Sequence, residues 1–225
     1  MPAGVSFVIP VLNEGDHIGP LLRHLRGAYP EAELVVVDGG SDDDTAKAAM
    51  PRCDLLLLGE RGRANQMNLG GRAARREYLF FLHADTVPGV SALCLADYLA
   101  GEPQWGFCRV RLSGSGPAFR VIERCMNLRS AVTGIATGDQ MLFVRRELFE
   151  ETGGFEPIPL MEDIAYCGRL RRIAAPRVVR EPVVTSSRRW EVRGVVRTVL
   201  QMWALRLAYF LGASPARLWH HYYGR

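Results

Sequence analysis

A chain of 225 residues, 48% hydrophobic and 23% charged, can bury one substantial core, and no repeat or low-complexity linker divides it, so one domain is expected. Five cysteines (Cys53, Cys94, Cys108, Cys125, Cys167) are odd in number and widely spaced, which excludes a disulfide framework or a paired CxxC zinc site and leaves free thiols. The net charge is only +4, and no nucleic-acid partner is expected.

The first apolar strand, residues 5–9, leads into Pro10-Val11-Leu12-Asn13-Glu14. Ile18, Leu21, Leu22 and Leu25 then fall at helical spacing. A second strand, residues 34–37, leads into Asp38-Gly39-Gly40-Ser41-Asp42-Asp43. Asp42 and Asp43 read as helix-start residues, since acids are favoured in the first turn. A short alanine-rich helix over 45–50, a third strand over 54–58 and a helix over 64–75 come next. The fourth strand, residues 78–82, has the aromatic and aliphatic content of a buried parallel strand and ends in His83-Ala84-Asp85-Thr86. This alternation predicts an α/β domain with a mostly parallel sheet flanked by helices. Three strands therefore deliver acids to one sheet edge, the carboxyl end, where open α/β sheets bind ligands.

Beyond Pro88, the positions of Leu93, Leu95, Ala96 and Leu99 predict another helix, and residues 105–112 alternate as a half-buried strand does. Gly114, Gly116 and Pro117 break regular structure, as a mobile loop or as an ordinary turn. Gly138-Asp139-Gln140 precedes an apolar strand over 141–144. Gly153-Gly154-Phe155 reads as the stop of a helix.

Six ordered blocks, VIPVLNE (8–14), VVVDGGSDDDT (35–45), GRANQMN (62–68), FLHADT (81–86), TGDQMLFVRRELFEETGGF (137–155) and LMEDIAYCGRLRR (160–172), resemble the family 2 glycosyltransferases of the GT-A fold. The chain looks most like the small single-domain members grouped with arsenosugar biosynthesis. The resemblance implies inverting transfer of a sugar from a nucleoside diphosphate donor, UDP-linked, to a hydroxyl acceptor. It gives Asp38 to the base, Glu14 to the ribose region, and Pro10, Arg63 and Asn68 to the nucleotide. Arg63 lies in a glycine-flanked loop near a helix start, a setting suited to diphosphate oxygens.

Asp85 matches the last acid of the family's DxD motif, which holds a divalent cation, Mn²⁺ or Mg²⁺, against the diphosphate. The first acid of that motif is His83 here. A neutral imidazole adds no negative charge and prefers softer metals, so Asp85 is left as the principal ligand, and a metal-independent site stays open. Glu162-Asp163 matches the ED motif; Asp163 is then the general base and Glu162 a supporting or acceptor-binding acid. Asp139 and Gln140 could meet sugar hydroxyls. Ser186-Ser187-Arg188-Arg189-Trp190 is similar to the QxxRW motif of processive members, with Arg189 toward the diphosphate and Trp190 toward a sugar face. Ser186 in place of Gln puts processivity in doubt.

A glycosyltransferase domain over residues 1–192 and a basic, aromatic helical tail over 193–225 are expected. From Arg169 onward twelve Arg stand against two acids, Glu181 and Glu191, a surplus of ten positive charges that leaves the rest of the chain at −6. The tail is apolar over 195–211, yet Arg197 and Arg206 interrupt it, so a membrane span is costly. Packing on the same domain or across a homodimer is expected, with peripheral attachment to anionic lipid as the alternative. No charged and apolar leader precedes the first strand, and a cytoplasmic location is expected. Two other readings stay open: a polyprenyl-phosphate acceptor, and a nucleotide-sugar-binding protein without turnover, which only His83 encourages.

Overall fold

The computed structural model describes residues 4–224. Through residue 81 the elements follow the expected alternation: β1 (Val5–Val11), α1 (Gly15–Ala28), β2 (Glu33–Asp38), α2 (Thr45–Ala49), β3 (Leu55–Leu58), α3 (Arg63–Ala73) and β4 (Tyr78–Phe81). β1 pairs in parallel with both β2 and β4, and β2 with β3. The C-terminal ends of these four strands therefore share one edge.

The middle residues of β1, β2 and β4 are largely apolar because both faces of the sheet are covered there, whereas β3 at the sheet edge is only partly buried. Side chains alternate across a strand, so Phe7, Ile9 and Val11 join the core that contains Ile18, Leu22 and Leu25 of α1, whereas Val8 joins the opposite core with Met67 of α3. Leu34 and Val36 likewise divide from Val35 and Val37. α3 lies unusually close to the sheet. A Cβ on Gly70 would come within 2.5 Å of Val8 Cγ1 and 2.8 Å of Val37 Cγ2, so only glycine permits this approach.

The second half corrects the expected sheet. It comprises β5 (Thr86–Pro88), α4 (Ala92–Leu99), β6 (Trp105–Leu112), α5 (Pro117–Thr133), a 3₁₀ turn at Gly138–Gln140, β7 (Phe143–Arg145), α6 (Arg146–Thr152), α7 (Glu162–Leu170) and β8 (Arg177–Thr185). The eight strands lie in the order β3-β2-β1-β4-β7-β6-β8-β5. β7 runs antiparallel to both β4 and β6, β5 antiparallel to β8, and β6 parallel to β8. The sheet is mixed, not mostly parallel, because the alternation that enforces parallel crossovers stops at β4 and later strands add from other directions.

Residues 113–116 are irregular, as the Gly-Pro break predicts, and the irregular stretch ends at Pro117. Pro117 takes the first turn of the 17-residue α5, where its missing N–H costs nothing and its fixed φ suits the helix. Gly153, at φ +72°, ends α6 in the left-handed conformation expected of a helix stop.

α8 (Arg188–Arg193) leads into the tail, which forms α9 (Val195–Phe210) and α10 (Pro215–Tyr223). Leu205, Leu218 and Tyr222 bury themselves with Met161 and Ile164, so the last two helices cover the start of α7. Among the described residues no helix is long and apolar enough to cross a membrane.

Candidate active site

Two adjoining cavities open at the C-terminal edge of the parallel strands. The larger, about 630 Å³, is lined by Pro10, Val11, Leu12 and Glu14 after β1, by residues 61–66 at the start of α3, by residues 157–160, and by Trp219 and Tyr223 of α10. The smaller, about 400 Å³, is lined by Thr137, Gly138, Asp139, Asp163, Trp190, Met202, Arg206 and Tyr222 among others. Arg63, His83, Asp85, Leu160, Glu162 and Arg188 belong to both, so a wall of mixed charge divides them.

Backbone strain marks this edge. Asn13, Met141 and Met161 adopt φ of +56°, +46° and +70°, a left-handed conformation that costs free energy for a side chain other than glycine. Asn13 precedes Glu14, and Met161 precedes Glu162. Asn13 is held by its Oδ1, which accepts from Asp42 N at 2.9 Å, and by its N–H, which donates to Ser41 Oγ at 2.9 Å. Asp43 serves the scaffold, as its helix-start reading implies: its Oδ1 accepts from Thr45 N at 3.0 Å and its Oδ2 from Gly15 N at 3.1 Å.

Asp163 sits in the first turn of α7. Its Oδ2 accepts from Gly138 N and its Oδ1 from Ile164 N, each at 2.7 Å, which fixes the carboxylate on the wall of the smaller cavity. Burial raises its pKa and outweighs the opposing effect of the two N–H donors and Arg63. Burial also raises Glu162, assisted by the neighbouring negative charge of Asp163. Burial likewise raises Glu14, whose Oε2 lies 3.2 Å from His17 Nδ1. Arg63 experiences the reverse: burial pulls its pKa down, but Glu162, Tyr223, Asp139 and Asp163 together hold it above the ordinary value. Its side chain is enclosed by the concave wall and still reaches solvent through the cavity.

His83 Nδ1 lies 3.6 Å from Asp139 Oδ1. Gly138 makes this approach possible, since a Cβ there would come within 2.4 Å of His83 Cε1. His83 thus points along the wall toward another side chain, leaving Asp85 as the strand-end carboxylate shared by both cavities. The backbone oxygen of Asp85 accepts from Ser186 N at 3.2 Å, which brings the start of α8, and Arg188 with it, against the strand end.

Among the described residues no group of three or more His, Cys, Asp or Glu forms a metal site. The donor set nevertheless fits a hard cation that arrives with a diphosphate. Mg²⁺ and Mn²⁺ commonly take one or two carboxylates and complete their shell with phosphate oxygens and water, and Asp85 faces the cavity with Glu14 near enough for their charges to interact.

Two sequence expectations are relocated, and a third residue, Asp38, lies beside the larger cavity without being among the residues that line it. Asn68 is buried away from both cavities: its Nδ2 donates to Phe155 O at 2.7 Å and its Oδ1 accepts from Phe155 N at 2.8 Å. It pins the segment after α6 and lines neither cavity. Gln140 is fully buried, its Oε1 accepting from Ser130 Oγ at 2.7 Å and from Thr137 N at 3.2 Å, so it orders the loop bearing Asp139 rather than meeting a sugar. Asp38 is 2% exposed and lies beside the larger cavity, paired in register with the cavity-lining Val11. Its Oδ1 accepts from Ser41 N at 2.9 Å and Ser41 Oγ at 2.7 Å.

Pro10, Glu14, Arg63, Asp85, Asp139, Glu162, Asp163, His83 and Trp190 all reach the cavities. The side chain of Arg189 lies outside the described residues. Its neighbour Arg188, on the shared wall, is the cation that sequence reading passed over, although the same SSRRW stretch contains it. Arg206 was also missed: it lines the smaller cavity and its Nη2 is buried without a hydrogen-bond partner. The signal was an arginine interrupting an apolar helix.

Asn68→Ala leaves a buried N–H and C=O of Phe155 unpaired and is expected to cost about 3 kcal/mol of stability, read as a lower denaturant midpoint. Unchanged stability with lost nucleotide binding would return Asn68 to the cavity.

Residues 6–95 match the family model described as "Glycosyl transferase family 2". This stretch, less than half of the chain, is similar to family 2 glycosyltransferases. A curated relative, the poly-beta-1,6-N-acetyl-D-glucosamine synthase of Staphylococcus aureus (strain MSSA476), is 25% identical over 237 residues, covering 96% of this chain and 56% of the relative. Another enzyme of that name, from Staphylococcus epidermidis, is 33% identical over 93 residues, covering 37% of this chain and 22% of the relative. The chain spans about half the length of the first of these, or less for the second. Among solved structures, S. aureus TarS 1–349 in complex with UDP aligns with a TM-score of 0.65 at 17% identity, over 81% of this chain and 60% of TarS. Mannosyltransferase PcManGT from Pyrobaculum calidifontis, in complex with GDP-Man and Mn²⁺, aligns with a TM-score of 0.63 at 24% identity, over 83% and 57%. The chain therefore has the α/β fold of these neighbours, and the matches taken together support a glycosyltransferase.

Proposed function

We propose that this chain transfers a sugar from a nucleoside diphosphate sugar, UDP-linked, to a hydroxyl acceptor with inversion at the anomeric carbon. The observation that carries this reading is the shared wall: Asp163 in the smaller cavity and the Arg63–Asp85–Arg188 group between the two cavities divide proton acceptance from diphosphate binding. The donor then occupies the larger cavity, with its base toward Asp38, its ribose toward Glu14 and Pro10, and its diphosphate against Arg63 and Arg188. Asp38 uses one carboxylate oxygen on Ser41, and the other suits the imide N–H of a uracil. The complex of TarS with UDP, in a neighbour of the same fold, supports this choice of base.

The acceptor enters the smaller cavity. Its hydroxyl oxygen forms the new bond to the anomeric carbon while the bond from that carbon to the diphosphate breaks, and Asp163 takes the hydroxyl proton. One displacement from the opposite face inverts the configuration. Arg63 and Arg188 hold the charge that develops on the leaving diphosphate. A divalent cation bound with the donor at Asp85 would supply further neutralisation of that charge. Asp139 is placed for acceptor hydroxyls and Trp190 for stacking on a sugar face. The narrower grouping with arsenosugar biosynthesis rests on the overall sequence resemblance.

A thermal-shift screen of nucleotides with and without Mn²⁺ tests the reading. UDP is expected to raise the melting temperature more than GDP, because a ligand that binds only the folded state stabilises it. A larger shift with GDP than with UDP would overturn the choice of base, and no shift with either would overturn donor binding.

A further inference from the structure

α9 has two apolar faces. Thr198 and Leu205 are buried against the domain, while Val196, Leu200, Trp203, Leu207, Phe210 and Leu211 stand 61–78% exposed. At about 100° per residue these six fall within an arc of roughly 100°, opposite Leu205. They form a continuous stripe, and exposed stripes of this kind mark interaction surfaces.

Charge decides what covers it. From Val192 to the end the chain carries five Arg and no Asp or Glu. Arg197 and Arg217 are exposed, and Arg197 falls beside the stripe. A second copy seated stripe to stripe would bring two acid-free, basic segments together, with no carboxylate from either tail to offset the repulsion. An anionic lipid surface supplies both the apolar layer for the stripe and the negative charge for its borders. Sixteen residues of helix measure about 24 Å, less than the roughly 30 Å of a bilayer core, so α9 lies along a surface and does not cross it.

We propose that α9 is an interfacial helix whose outward stripe seats at the headgroup–acyl boundary of an anionic bilayer. The inward side of the same helix contributes Met202 and Arg206 to the smaller cavity. Seating the helix therefore brings that cavity to the lipid surface, where the unpartnered Nη2 of Arg206 suits an anionic group of a membrane-borne molecule. Docking itself does not depend on the sugar-transfer reading.

The test is co-sedimentation of the full chain with vesicles of phosphatidylcholine alone and with about one-third phosphatidylglycerol. Binding is expected only to the anionic vesicles and is expected to weaken as salt rises. The double variant Leu200→Asp, Leu207→Asp should lose about tenfold or more of that binding, with an unchanged melting temperature because both side chains are exposed. Wild type that stays in the supernatant with anionic vesicles at low salt overturns the proposal, as does a folded variant that binds as wild type does. If sedimentation instead shows a dimer that the variant abolishes, without lipid binding, the stripe belongs to a second copy. The UDP thermal shift, read on the same double variant, should match wild type, so that failure of lipid docking and failure of donor binding are told apart.

Discussion

Asp163→Asn is expected to lower sugar transfer by roughly two to four orders of magnitude, the range for loss of a positioned general base, while donor binding stays near wild type. The substitution keeps the shape of the side chain but removes its capacity to take a proton. An amide oxygen can still accept from Gly138 N or Ile164 N, which hold the carboxylate now, so the loop should keep its place. Burial raises Asp163 and Glu162 above their ordinary pKa values. Wild-type transfer should therefore rise with pH along a limb lying above the usual carboxylate range, and that limb should vanish with the variant. The same shifts fix the sign for stability: the folded chain keeps these protons to higher pH than the unfolded chain. Stability is thus lost as pH rises from the unfolded to the folded values, and remains reduced above them. Near-normal transfer by Asp163→Asn, measured with a working acceptor, would move the base to Glu162 or Asp139.

The second large effect concerns the diphosphate. Arg63→Ala is expected to weaken UDP binding by roughly ten- to a hundredfold with or without Mn²⁺, the scale of one or two charge-assisted hydrogen bonds. It would also leave Glu162, Asp139 and Asp163 without the guanidinium they surround. Asp85→Ala should differ in kind, losing the metal-dependent increment of the thermal shift and keeping the metal-free part. Asp38→Ala should abolish the metal-free shift, provided that circular dichroism shows the Ser41 turn intact. The decisive comparison is titration of UDP into each variant. If the Asp85 variant keeps the full Mn²⁺-dependent increment, or wild type shows none, no cation is held there; if Arg63→Ala binds as wild type, the diphosphate lies elsewhere.

Much of the candidate site was legible because it follows parallel strands. A buried strand declares itself by continuous apolar content, and the polar residues after it must lie at the ligand-binding edge, so Glu14 and Asp85 could be placed before any coordinates. The ED pair was legible through its motif. Asn68 and Gln140 misled for a shared reason: an amide in a motif block can serve backbone as readily as ligand, and local sequence does not say where Phe155 or Ser130 will stand. Arg188 and Arg206 were missed because their neighbours come from distant segments, the strand end at Asp85 and the loop before α7.

The sequence by itself determined the parallel half of the sheet, its helix order, the edge that carries the acids and the stop at Gly153, since each depends on local periodicity, chain direction or backbone conformation. The tertiary structure decided the rest. The antiparallel placement of β7 between β4 and β6 depends on contacts remote in sequence, and so does the length of α5, whose opening Gly-Pro reads locally as a break. Above all, burial of Leu205 against Met161 and Ile164 fixes the rotation of α9. That one packing contact turns Arg206 inward to the cavity and leaves Leu200, Trp203 and Leu207 outward, a division of faces that an apolar helix with two arginines does not announce.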